Sequence, residues 1–220
     1  MGVVRDLAFG ELAAIARGIT MQQSSARPRY APTRPLPPYA YVPGAGWPHP
    51  VNDPRGHLHS VRDHEAVGYP LPLVPFEVKG EPGRLGAAVA ASEEWRYAVD
   101  LFNHGFCWEA HEAWEGFWNP LGRTTTAAAH VQGLIHLAAA GVKIREGRPN
   151  GVARHARRAR ELLADPLATT NGEGVFGITP LSIAAVLREL EGHVPACWHT
   201  AAAPVVGVLD TTLELAQPST

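Results

Sequence analysis

Asn103–Trp118, NHGFCWEAHEAWEGFW, decides how the rest of the chain is read. Gly105, after Asn103 and His104, is free to take the left-handed backbone that ends one helix before the next begins. From Cys107 on, Ala110, Ala113, Trp114 and Phe117 recur at i, i+3, i+4 and i+7, which predicts a helix over 107–118 with that face packed. His111 and Glu115 are four apart and share a side, with Trp108 and Trp118 beside them. Glu112 falls about 100° round from His111, next to Glu109. The run at 111–115 is His-Glu-x-x-Glu; the second histidine of a zincin is missing, which argues against a metalloprotease.

Working outward, Ala88, Ala91, Trp95, Ala98, Val99 and Phe102 keep helical spacing, so a helix starting near Arg84 leads into Asn103. Downstream, Asn119-Pro120 and Gly122 end the 107–118 helix, and Thr124–Thr126 cap the next, which runs to about Glu146. That helix is apolar on nearly every side, as a central buried helix is. Gly147 stops it. Pro149-Asn150 opens a helix over 151–164, which Asp165-Pro166 breaks, and 169–178 reads as a loop. Thr179 caps a last helix with Pro180 at its first position and Ile183, Val186, Leu187 and Leu190 inward, up to Gly192. The expectation is an all-α antiparallel helix-hairpin bundle of about five core helices. FNHGF and IREGR both read as helix–Gly–helix turns, tetratricopeptide-like in logic but without that repeat's period.

The remainder divides into a short amphipathic helix and polar tether (1–27), a Pro/His-rich extended arm (28–83), the helical domain (84–194) and an irregular tail (195–220). Val3, Val4, Leu7, Leu12 and Ile15 carry the first. In the arm, recurrent prolines forbid both helix and central strand, while Tyr30, Tyr39, Tyr41 and Trp47 offer anchors to the domain. Residues 70–82 are extended, and 205–210 (VVGVLD) fit more than one conformation.

The 220 residues carry a net charge of −2, which gives no reason to expect nucleic acid or anionic membrane as a partner. No apolar run is long enough to span a bilayer, and the N-terminus is a poor secretory signal. Cys107 and Cys197 form no disulfide framework; the expectation is a soluble cytoplasmic protein.

Eleven histidines make metal chemistry worth testing. On the buried helix the polar side chains are His130, Gln132, His136 and Lys143, the last three in one stripe flanked by Ala129, Gly133 and Ala140. Small residues there mean close helix approach or room for a ligand. Buried His and Lys need partners, and Glu109, Glu112 and Glu115 of the preceding helix can supply them. His155 also faces inward. One reading is therefore a pocket lined by His111, Glu112, Glu115, Gln132, His136, Lys143 and His155, with the arm as a lid, holding a small ligand or a divalent metal on His111, Glu115 and His136. The other is a structural polar network that fixes how the hairpins pack. A second metal set, His49, His57 and His59, lies in the arm with Asp53, Asp63, His64 and Glu65. Cys107, at a helix N-terminus, is a candidate low-pKa thiol, and Cys197-Trp-His199 can add a ligand. Arg154, Arg157, Arg158 and Arg160 make one helix basic, either a solvated face or a site for an acidic partner or phosphate.

Three blocks in order, LFNHGFCWEAHEAWEGFW, GLIHLAAAGVKIREG and GVARHARRARELL, resemble the bacterial and archaeal domain of unknown function 309 family over roughly 93–165. The resemblance implies an all-helical fold, no established activity, and motif residues Asn103, Gly105, Glu109, His111, Glu112, Lys143 and Gly147. Cys107 stands where an aromatic is more usual, and the arm lies outside the matched core. Three functional readings stay open: a ligand- or metal-binding pocket protein, a metal-assisted hydrolase, and a helical protein-interaction scaffold, with a homodimer among its arrangements.

Overall fold

The computed structural model describes residues 27–59, 88–121, 124–168, 174–192 and 200–216. Besides a helical turn at 88–91, the α-helices that lie wholly among them are α1 (Glu93–Asn103), α2 (Cys107–Trp118), α3 (Thr126–Arg145), α4 (Pro149–Leu162), α5 (Ala164–Ala168) and α6 (Pro180–Glu191). Among the described residues there are no strands, only isolated bridges joining Val175 to Ile178 and Ile178 to Leu215. The 3–19 helix, the 70–82 segment, Arg84, Asp63, His64, Glu65, Cys197 and His199 lie outside the described residues.

The hairpin turns follow from two glycines. Gly105 has φ 88° and Gly147 φ 69°, the left-handed region that suits glycine. Across each the same pair of backbone bonds closes the helix: Gly105 N–H to Phe102 O and Phe106 N–H to Leu101 O, then Gly147 N–H to Ile144 O and Arg148 N–H to Lys143 O. Thr125 and Thr179 accept from the amides of Ala128 and Ser182, capping α3 and α6.

Two boundaries differ from the sequence expectation. The helix predicted from Arg84 is interrupted at Ser92, whose hydroxyl accepts from Trp95 N–H and starts α1 afresh, with Glu93 and Glu94 in its first turn. The helix expected to end at Asp165-Pro166 does end there, at Leu162, but the chain re-enters helix at once, and the pair does not lead into a loop. It lies in the first turn of α5, where a proline costs no hydrogen bond.

α3 lies at the centre, packed against α2 and α4, with α1 on α2 and α6 on α4. Trp95, Trp114, Leu134, Leu137, Ile144, Leu163 and Leu187 are fully buried, each large side chain contributing about 2 kcal/mol. Close helix approach, rather than space for a ligand, explains the small residues of α3. A Cβ on Gly141 would meet Cys107 Sγ at 2.4 Å, and one on Gly133 would meet Leu163 Cγ at 2.5 Å.

The arm (27–59) packs on the helices of its own chain. Asp100, fully buried on α1, accepts from Arg29 Nε at 3.0 Å, Tyr30 N–H at 2.8 Å and Ala31 N–H at 2.9 Å. Arg34 lies 4.6 Å over the Tyr97 ring, and the Tyr97 hydroxyl donates to Pro35 O. Trp47 stacks on Tyr39 and donates to Ala201 O in the tail. The tail is held by Asn103, whose amide donates to Leu213 O at 2.9 Å and accepts from Leu213 N–H at 2.8 Å.

Asp100→Ala should cost about 3 kcal/mol, because a buried guanidinium contact and two amides lose their acceptor. Urea denaturation measures the loss, and limited proteolysis should show cuts within 27–59 while helical circular dichroism persists. Gly141→Ala should cost about 1–3 kcal/mol by forcing Cys107 aside, and Cys107→Ala in the same chain should restore part of it.

Candidate functional site

Half-exposed residues of three helices form one strip. On α2 they are Trp108, His111, Glu112 and Glu115, which follow one another at i, i+3, i+4 and i+7. On α3 they are Gln132, His136 and Lys143, and on α4 His155. The opposite face of α2, with Ala110, Ala113, Trp114 and Phe117, is buried as the spacing predicts.

His111 is the centre of the α2 part. Its Nδ1 lies 3.4 Å from Glu112 Oε1 and its Nε2 3.8 Å from Glu115 Oε1. Each of the three offers a ligand atom, all within 4.8 Å of one another, so this group can hold a metal ion. Glu112, which helical spacing sets apart from His111, joins because its long side chain swings back to the ring. His111 Nδ1 is buried, and the Glu112 carboxylate 3.4 Å away is not aligned to share a hydrogen bond with it.

His136 is not part of that triplet. Its Nδ1 faces His155 Nδ1 at 3.0 Å, one ring donating to the other, with centroids 5.2 Å apart. Burial pushes both imidazoles below the ordinary histidine value. Arg158, His111 and Arg154 add to this for His136; for His155, His136, Arg154, Lys143 and His111 carry it down to about 4. His130 is likewise lowered by burial.

Lys143 does not reach the carboxylates of α2. It pairs at 2.7 Å with Glu146 at the cap of its helix, which Arg148 also approaches at 3.2 Å, and its stem lies against Gly151. Glu109 faces the arm: it is buried, accepts from Tyr41 N–H at 2.9 Å, and has His57 Nε2 at 3.4 Å. The expected network linking α2 carboxylates to the α3 His and Lys is thus two separate arrangements.

The arm histidines do not converge on a metal. His49 Nδ1 accepts from the amides of Val51 and Asn52, His59 Nδ1 contacts Val51 O, and His57 goes to Glu109 and the Tyr39 ring. They shape the arm and dock it. The described arm residues meet the strip at Trp108, through Tyr41 and His49; the rest of the expected lid, 60–83, lies outside the described residues. Cys107 is the reverse of an activated thiol, since burial first and Glu109 second push it up to about 12. On α4, Arg160 forms a two-point pair with Glu191 and Arg158 pairs with Glu161.

Sequence reading missed Arg145. It is 1 % exposed and donates to the carbonyls of Ala40, Thr200 and Ala203, joining arm and tail to α3. In the last turn of a helix an arginine reads as a dipole partner in water, and no local pattern distinguishes it. A cavity of about 340 Å³ lies between arm, α1 and tail, lined by Arg29, Tyr30, Ala90, Arg96, Leu215 and their neighbours. None of the predicted site residues lines it.

Residues 95–155 match a family model described as domain of unknown function (DUF309). That segment is similar to the DUF309 family. The match runs from α1 to His155 and takes in His111, Glu112, Glu115, Gln132, His136 and Lys143, while the arm and tail fall outside it. No curated protein and no solved structure matches the chain significantly. No helix among the described residues is long and apolar enough to cross a membrane.

The lowered imidazoles tie stability to pH. In the unfolded chain His136 and His155 protonate near 6.5, in the fold only further down, His155 at about 4. The unfolded state therefore binds more protons across that window. Stability is complete above 6.5 and is lost as pH falls toward 4. In chelator-treated protein, His136→Gln/His155→Gln should flatten this decline, read as urea midpoints at neutral and mildly acid pH.

Proposed function

We propose that this protein binds a divalent transition-metal ion on His111, Glu112 and Glu115 of α2. The observation that carries the reading is the triplet itself: one imidazole and two carboxylates within 4.8 Å of one another on a half-exposed helix face. An imidazole with carboxylates suits zinc, manganese or iron(II) rather than a soft thiolate-preferring ion. The unsatisfied Nδ1 of His111 supports it, since buried ring nitrogens otherwise find partners. Three protein ligands on one helix leave coordination positions open to water or a small molecule. That is the arrangement of metal sites that act on a ligand rather than staple a fold, and it keeps metal-assisted hydrolysis as the chemistry the site suits.

The test is elemental analysis of the purified protein, with calorimetric titration of zinc and manganese. About one equivalent is expected for the wild type. His111→Ala should bind about 100-fold more weakly, since it removes the only nitrogen ligand, and its metal-free melting temperature should stay unchanged. Equal metal uptake by His111→Ala, or none by the wild type, would count against the reading. A His111→Ala chain that fails to fold would make the triplet structural.

A further inference from the structure

We infer that the strip around His136 and His155 binds the phosphate group of a small phosphomonoester, beside the α2 triplet and without needing its metal. The two imidazoles meet at 3.0 Å on facing helices, both half-exposed. Arg154 and Arg158 lie on α4 one residue before and three after His155, so both flank it on the helix surface. Lys143 comes to the same helix, its stem against Gly151.

What marks the strip is the sign of its charge. The groups acting on His155 are His136, Arg154, Lys143 and His111, and on His136 they are Arg158, His111 and Arg154. Arg154, Arg158 and Lys143 among them are cations at neutral pH, and neither ring is paired with a carboxylate among the described residues. Lys143 has one carboxylate, Glu146 at the cap of its helix, and Arg158 has one on its own helix, Glu161. An ammonium has three donors and a guanidinium five, so both keep donors to spare. Arg154 has no ion pair among the described residues. Cations with donors to spare beside a pair of neutral imidazoles suit an anion.

A phosphate dianion fits that role. It accepts from several donors at once, its bonds to guanidinium are charge-assisted, and its charge favours returning protons to the imidazoles. A small monoester fits better than a polyanion: the cationic strip is short, and a chain of net charge −2 offers no extended track for a nucleic acid.

Phenyl phosphate titrated into the chelator-treated full-length protein at low salt tests this, by calorimetry and by the imidazole NMR signals. Saturable one-to-one binding is expected, with the His136 and His155 resonances shifting. Arg154→Gln/Arg158→Gln, both at exposed positions, should keep the fold and weaken binding about tenfold or more. Absence of saturable binding would overturn the proposal, as would binding indifferent to the two arginines. Binding that appears only after metal is restored would also overturn it, by assigning the phosphate to the metal. Because metal is stripped first, failure of the metal reading leaves this result standing.

Discussion

An irregular segment can lie on a helical core only if its backbone polar groups find partners there. Here those partners are buried side chains of the helices. Asp100 takes two amides of the arm, Glu109 takes a third, Asn103 takes both backbone groups of Leu213, and Arg145 takes carbonyls from arm and tail. Burying a carboxylate or guanidinium costs several kcal/mol unless it is well hydrogen-bonded. Burying an amide without a partner costs about 1–3 kcal/mol. Each cost is offset by the other.

That arrangement decides which face of α3 remains open. Arg145 follows His136 by nine residues, about two and a half turns, so the two side chains leave opposite sides of the helix. Arm and tail cover the Arg145 side. The His136 side is bordered by α2 and α4, and its imidazole stays half-exposed. A helix that reads as apolar all round thus has one sealed polar residue and one accessible polar stripe.

Local signals were legible and long-range ones were not. Gly105, Gly147, Thr125 and Thr179 act within a few residues of themselves, so the sequence shows the helix ends they make. Ser92-Glu93-Glu94 carries the same kind of signal, an N-cap hydroxyl ahead of two acids, and was overridden by the alanine stripe running through it. The Lys143–Glu146 pair was also there to be read, three apart at one helix end. For the site, spacing alone joined His111 to Glu115. That Glu112 turns back to the same ring depends on its rotamer, and that His136 meets His155 depends on how α3 crosses α4. Asp100 and Arg145 are invisible as buried charges because their partners lie 70 and 105 residues away in sequence. The reactive reading of Cys107 failed for a related reason: a helix N-terminus lowers a thiol's pKa, but burial against Gly141 outweighs it.

The DUF309 match sharpens the division between holding and acting. Residues 95–155 contain the anchors Asp100, Asn103, Glu109 and Arg145, whereas Arg29, Tyr30, Ala40, Tyr41, Thr200 and Leu213, which they hold, lie outside. The matched segment therefore carries buried charges whose partners come from flanking chain. Uncovered, these groups would be hydrated and the apolar side chains around them left to water. Among the described residues, the side-chain pairs of His111, Glu112, Glu115, His136 and His155 are made within the matched segment. Polar groups that a fold does not need for its own packing, gathered from three helices at one exposed strip, are where a ligand acts with least cost to stability.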